Sequence, residues 1–280
     1  MRTTQASPPL GLYKEVYGAG NPILCLHGLG ANIYSWRNFI TPFSQTNKLM
    51  LVDFKGCGKS PKPRDTRYSI EDKANDIYNL ILEEDLRNLT LVGNSLGGAI
   101  ALLVAIRLGK EKPDRLSKLI LIDSAGDQTS LPPHLNLLRS FTGAPIVYFA
   151  PSKLAAMLTL RMCYYDRTKI TREQVEAYAA PLRSFGGRHA LLQTARHCIP
   201  ANADELIAAV STIRVPTLIL WGREDRVIPL KVGERLHQLL PNSTLQVIER
   251  CGHIPQEEKP DETIALISRF LADEHQNRER

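Results

Sequence analysis

Apolar residues in this 280-residue chain gather into short continuous runs, each closed by Gly, Pro, Asp or another polar residue. The runs are PILCLHG (22–28), KLMLVDFKG (48–56), LTLVGNS (89–95), LSKLILIDSA (116–125), TLILWG (217–222) and STLQVIER (243–250). Runs without polar alternation predict strands buried on both faces, as in a parallel sheet. Between them, apolar residues recur at helical spacing over about 34–44, 70–84, 97–109, 231–240 and 260–273. Strand alternating with helix predicts an α/β fold with a doubly wound, mostly parallel sheet. The opening LGLYKEVYG reads as an antiparallel edge strand.

One stretch breaks the pattern. Between Gly126 and Val210 no strand signal appears, and helical segments rich in Leu, Met, Tyr and Phe are punctuated by prolines at 132, 133, 145, 151, 181 and 200. About 85 residues are too many for a loop. The prediction is a core made of residues 1–125 and 211–280, interrupted by a helical insertion over 126–210. Residues 89–106 are uncharged and long enough to raise a membrane-spanning reading. Asn94, Ser95 and three glycines divide that run, so strand, turn and buried helix is the better account.

Composition narrows the partners. Hydrophobic content of 43% and charged content of 23% are ordinary for a soluble globular protein. The net charge of +6 is scattered, with no block of like charges, so no nucleic-acid partner is expected. Five widely spaced cysteines contain no C-x-x-C pair, which points away from a zinc site or a disulfide framework and toward a reducing, cytoplasmic setting. The first residues lack the apolar segment of a signal peptide, and no integral membrane segment is expected.

Two glycine clusters imitate cofactor loops. Gly56-Cys57-Gly58-Lys59-Ser60 ends like a phosphate-binding loop, but the required earlier glycine position holds Asp53. Gly28-Leu29-Gly30 follows a strand as a dinucleotide fingerprint does, but its third glycine position holds Ile33. Both read as tight turns at strand ends, and no cofactor is expected.

The remaining glycine cluster is Gly93-Asn94-Ser95-Leu96-Gly97-Gly98. It follows an apolar strand and opens an apolar helix, the setting a nucleophile elbow requires. The same glycines would also serve a plain strand-to-helix turn. If Ser95 is a nucleophile, the turn lifts its hydroxyl clear of the backbone and puts the Leu96 N–H where an oxyanion would form. A serine hydroxyl needs a base. Of seven histidines (27, 134, 189, 197, 237, 253 and 275), His253 stands apart, in Cys-Gly-His just past the last strand. The base needs an acid to fix its tautomer. Asp225, after TLILWG, supplies one; Asp123 at the end of LSKLILID is the rival, and Glu224 a weaker one. Ser95, Asp225 and His253 then fall at the carboxyl ends of three strands, the edge where open α/β sheets place ligands. The Leu29 N–H would be the second oxyanion donor, and His27 reads as a residue that shapes its loop.

These motifs together resemble the α/β-hydrolase superfamily over nearly the whole chain. The resemblance rests on His27-Gly28, on Asp53-Phe54-Lys55-Gly56-Cys57-Gly58-Lys59-Ser60, on Gly93 to Gly98, on Trp221-Gly222-Arg223-Glu224-Asp225 and on Gly252-His253. It implies that the insertion over 126–210 is the family's cap. Ser95 sets the chain apart from haloalkane dehalogenases and epoxide hydrolases, which carry Asp at the elbow. Meta-cleavage-product C–C hydrolases share G-N-S-x-G-G and W-G-R-x-D. They usually carry H-G-x-G-P-G and a Trp after the catalytic His, where this chain has Ala31-Asn32 and Ile254. Cofactor-free haloperoxidase-like esterases tend to have Phe where this chain has Asn94. The resemblance therefore implies a serine hydrolase of carboxylic esters acting on a small ester or acyl substrate. A C–C hydrolase is the alternative, and a non-catalytic ligand-binding member the lesser one. Tyr148, Phe149, Met157, Met162, Tyr164 and Tyr165 in the insertion are expected to serve helix packing more than pocket lining.

Overall fold

The computed structural model describes residues 11–126, 133–140, 142–200 and 202–272. His275 and Pro132 lie outside them, as does the His134 side chain. Seven strands form one sheet: β1 (Lys14–Tyr17), β2 (Asn21–Leu26), β3 (Asn47–Val52), β4 (Leu89–Asn94), β5 (Leu116–Ile122), β6 (Thr217–Gly222) and β7 (Ser243–Ile248). Their spatial order is β1-β3-β2-β4-β5-β6-β7, and every neighbouring pair is parallel except β1 with β3. The antiparallel edge strand is thus found where the sequence placed it, with Lys14 opposite Val52.

The continuous apolar runs are explained by two covered faces, because successive side chains on a strand point to opposite sides. Leu24 and Leu26 of β2 join Met50, Leu91, Leu121 and Trp221 in a core shared with helices α2 (Ile70–Glu83), α3 (Leu96–Glu111) and α10 (Leu230–Leu239). Ile23 and Cys25 point the other way, into a core with Trp36, Phe39, Phe43 and Ile267 of α12 (Pro260–Ala272). β7 departs from the expectation: STLQVI alternates between half-buried and exposed residues, because it is the sheet's far edge and one of its faces meets water.

Some predicted elements change length or type. The helix expected over 34–44 is a 3₁₀ stretch over Ile33–Phe39 followed by α1 (Ile40–Ser44). Tertiary contacts impose this: the Ile33 N–H is held by Asp53 Oδ1 at 2.8 Å, and Trp36 and Phe39 are buried against the sheet. The runs at 48–56 and 116–125 end as strands at Val52 and Ile122, where the chain turns out of the sheet.

The Gly56–Ser60 turn closes on an anion of its own. Asp53 Oδ2 accepts the Lys59 N–H at 2.7 Å, and the Ser60 hydroxyl donates to the Asp53 carbonyl at 2.6 Å. Between β5 and β6 the described residues form helices α4 (Pro133–Arg139), α5 (Gly143–Phe149), α6 (Ser152–Cys163), α7 (Arg172–Ala179), α8 (Phe185–Arg196) and α9 (Ala203–Val210). Leu160, Val175 and Tyr178 from these helices, with Tyr164 just past α6, bury against Ala31 and Ile254 of the sheet's loops. Among the described residues, no single helix is long and apolar enough to cross a membrane.

Candidate active site

β4 delivers Ser95 to the carboxyl edge of the sheet, and α3 starts at the next residue. Ser95 adopts φ 56° and ψ −121°, a conformation costly for a residue with a Cβ. Four backbone hydrogen bonds hold it there. The Ser95 N–H donates to the Ile122 carbonyl at 3.0 Å, and the Ser95 carbonyl accepts from Gly98 and Ala125 at 3.0 Å and from Ala99 at 3.3 Å. The turn can close because Gly93 and Gly97 lack side chains: a Cβ at Gly93 would strike the Gly97 carbonyl, and one at Gly97 the Leu26 carbonyl.

His253 and Asp225 meet across the neighbouring loops. His253 Nδ1 lies 2.7 Å from Asp225 Oδ2, and both side chains are buried. Asp225 Oδ1 accepts the amides of Val227 and Ile228 at 2.7 and 2.9 Å, so the carboxylate is fixed before it meets the ring. A carboxylate can only accept, so Nδ1 carries the hydrogen, and in the neutral imidazole Nε2 keeps its lone pair. The His253 backbone is fixed as well, its N–H donating to the Cys163 carbonyl at 2.7 Å and its carbonyl accepting from Asn94 Nδ2 at 3.1 Å.

Ser95 and His253 line one cavity of about 190 Å³, together with Leu29 and Leu96. No hydrogen bond joins Ser95 to His253 among the described residues; such contacts commonly tighten only when substrate is bound. Neither the Leu29 nor the Leu96 amide is used by another described residue, which leaves both free to donate into the cavity. The rest of the described lining is largely apolar, including Leu138, Met162, Leu191 and Ile228, and among the described residues it contains no Lys, Arg, Asp or Glu.

The rival acids occupy other places. Glu224 Oε2 accepts the Cys251 amide at 2.9 Å and does not reach the histidine ring. Asp123 is fully buried behind Asp225 and accepts the Gly222 N–H at 3.0 Å. Burial first, and the Asp225 charge second, hold its carboxyl well above the usual carboxylate range. One ligand atom each of Asp123, Asp225 and His253 lie within 4.8 Å of one another, a spacing that could suit a metal ion. His253 Nδ1 is, however, already spent on Asp225, and Asp225 already accepts three donors, from Val227, Ile228 and His253.

His27 has a structural place: Nδ1 lies 2.8 Å from the Gly28 carbonyl, and Nε2 accepts the Phe54 N–H at 3.3 Å. His197 and His237 make local hydrogen bonds, and His189 Nε2 lies 2.8 Å from the Asp65 carbonyl; none of the three lines the cavity. Of the aromatic and Met side chains singled out in the insertion, Met162 lines the cavity. Tyr164 and Met157 pack, Tyr148 stacks on Phe185, and Phe149 is 85% exposed.

Sequence reasoning missed three supports. Asn94, noted only as a family discriminator, ties the Ser95 strand to the His253 carbonyl and to Ile122. Glu258 is buried and accepts the amides of Gly252, Tyr165 and Asp166 at 2.8, 3.1 and 2.7 Å, joining the histidine loop to the segment after α6. Glu257 accepts from Arg37 at 2.5 Å, from Gln174 at 2.7 Å and from the Tyr178 hydroxyl, and burial pushes its carboxyl up. Both carboxylates lie in α11 (Pro255–Glu258), immediately after His253.

Comparison with known proteins gives a consistent picture. A family model described as the alpha/beta hydrolase fold matches residues 21–260. The chain is 32% identical to a 2-hydroxy-6-oxo-2,4-heptadienoate hydrolase of Pseudomonas putida, covering 92% of this chain and 91% of that one. A meta-cleavage product hydrolase from Pseudomonas fluorescens superposes with a TM-score of 0.78 at 25% identity, covering 95% and 96% of the two chains. An N-acyl homoserine lactone degrading enzyme, Est816, does so with a TM-score of 0.71 at 28% identity, covering 92% and 96%.

Proposed function

We propose that this chain, which belongs to the alpha/beta hydrolase fold family, is a serine hydrolase that cleaves neutral carboxylic esters through an acyl-enzyme. The observation that carries the reading is the buried Asp225–His253 pair, which leaves Nε2 free beside the cavity that Ser95 also lines. Ser95 Oγ attacks the acyl carbonyl while His253 Nε2 takes its proton. Asp225 holds the ring and stabilises the imidazolium. The Leu29 and Leu96 amides receive the oxyanion, and α3 presents its N-terminal end to the same charge. His253 then returns the proton to the leaving alcohol, and water releases the acyl group by the same steps. In this reading residues 126–210 are a cap over the core of 1–125 and 211–280, and the apolar cavity between them selects the substrate. The five cysteines, all unpaired, suit a reducing cytoplasm.

The likeness to the heptadienoate and meta-cleavage product hydrolases supports a second reading, C–C bond hydrolysis. A heptadienoate carries a carboxylate. The described cavity lining offers no Lys or Arg to meet one, and burying an unpaired carboxylate is costly. That contrast favours a neutral ester, and the similarity to a lactone-degrading enzyme agrees with it.

The test is Ser95→Ala on p-nitrophenyl butyrate, with fluorophosphonate labelling and a dienoate substrate run in parallel. The expected result is loss of about 10⁴-fold or more in kcat, loss of labelling, and a fold unchanged by circular dichroism. Retained ester turnover in the variant overturns the assignment. Preferred turnover of the dienoate replaces the ester reading with the C–C one, and an unreactive Ser95 in the unaltered protein points to a binding protein.

A further inference from the structure

Asp123 has no exposure and holds φ 43° at the end of β5. Its Oδ1 accepts the Gly222 N–H, while its Oδ2 is buried with no hydrogen-bond partner. A carboxylate oxygen of Asp123, one of Asp225 and a ring nitrogen of His253 lie within 4.8 Å of one another. Two ionised carboxylates this close and this buried repel each other strongly, so one holds a proton. The other titratable groups that act on Asp123 make matters worse: Glu258 adds a further negative charge, and Cys163 and Cys251 are thiols whose pKa values burial pushes up.

The donor count says which carboxyl keeps the proton. Asp225 receives three donors, from Val227, Ile228 and His253, whereas Asp123 receives one. A carboxylate has about four acceptor positions, so Asp225 has one left. We propose that Asp123 is a neutral carboxylic acid whose Oδ2–H fills that position, making it a positioning residue for the Asp225–His253 pair. This rests on the triad reading above. The proton turns the orphaned Oδ2 into a donor and keeps a second negative charge away from His253.

The tests separate this from the triad itself. Asp123→Asn keeps an acceptor for Gly222 and gives Asp225 an N–H donor in place of the O–H. It should keep at least about tenfold more kcat/KM than Asp123→Ala, which loses both bonds, and leave the acidic limb of the pH profile in place. Infrared difference spectra of the unaltered protein against Asp123→Asn at neutral pH should show the carbonyl stretch of a protonated carboxylic acid, lost in the variant. That band should persist in Ser95→Ala. Absence of the band overturns the proposal, and so does a loss of about 100-fold or more in Asp123→Asn with a displaced acidic limb, which would mean an ionised, working Asp123. Should Ser95→Ala keep its turnover, the triad reading fails, and the band still decides where the proton sits.

Discussion

Replacing Glu258 by Gln tests whether the histidine loop and the helical segment after α6 are held by one carboxylate. Glu258 is 1% exposed, and its two oxygens accept three amides: Oε1 takes Asp166, and Oε2 takes Tyr165 and Gly252. Glutamine keeps one oxygen and puts an NH₂ in place of the other, so at least one of the three N–H groups loses its acceptor and faces another donor. A hydrogen bond to a charged group contributes about 1.5–3 kcal/mol and a neutral one about 0.5–1.5. One bond lost and two weakened give a destabilisation of about 2–4 kcal/mol. An unfolding entropy of about 2.1 cal/mol/K per residue over 280 residues is about 0.6 kcal/mol/K, which predicts a Tm lower by about 3–7 °C. Gly252 precedes His253, so misplacement of the base should also cut kcat/KM for p-nitrophenyl butyrate by about 10- to 100-fold. Thermal melts by circular dichroism and steady-state kinetics on Glu258→Gln read both effects. A Tm within about 1 °C of the unaltered protein, with kcat/KM unchanged, would refute the reasoning.

Two further outcomes follow from buried polar groups. Asn94→Ala leaves the Ile122 and His253 carbonyls without their side-chain donor and should cost about 1–3 kcal/mol in urea unfolding, with kcat falling more than KM rises. Asn94→Asp, which aims an oxygen at both carbonyls, should be worse than Ala; equal or better activity in Asp would contradict the hydrogen-bond assignment. His27 is buried, and burial holds its pKa below the ordinary histidine value. Folding therefore favours neutral His27, and the stability it supports is full above about pH 6.5 and is lost as pH falls below that toward the depressed folded value. His27→Gln should flatten the fall in stability between about pH 7 and 5 by up to about 1.4 kcal/mol per pH unit; an unchanged slope would place the acid sensitivity elsewhere.

What was legible in the sequence is what local pattern encodes. PILCL reads as a buried strand because Ile23 and Cys25 face one core and Leu24 and Leu26 the other. STLQVIER reads the same way but is an edge, since no local signal tells how many neighbours a strand will have. The resemblance to the α/β-hydrolase superfamily holds over residues 21–260. The Asp225–His253 pairing was legible because each residue sits in a short loop straight after a strand, and strand order brings the two loops together. Asn94, Glu258 and the proton on Asp123 were not. Asn94 meets a carbonyl 159 residues away, and Glu258 meets amides 92 and 93 residues away. The contrast between Asp123 and Asp225 is a difference in donors received, which appears only once the loops are folded around them.

The turn that looks like a nucleotide loop has a consequence of its own. Its Lys59 amide, with that of Ile33, is aimed at the side chain of Asp53, which the same segment carries. A tethered carboxylate competes intramolecularly, at an effective concentration of millimolar order or above, and has no translational freedom left to lose. A free phosphate would have to evict it and leave it buried without donors. The loop is therefore saturated by its own chain, and a D-x-x-G-x-G-K-S segment at a strand end carries both an anion receptor and the anion that blocks it.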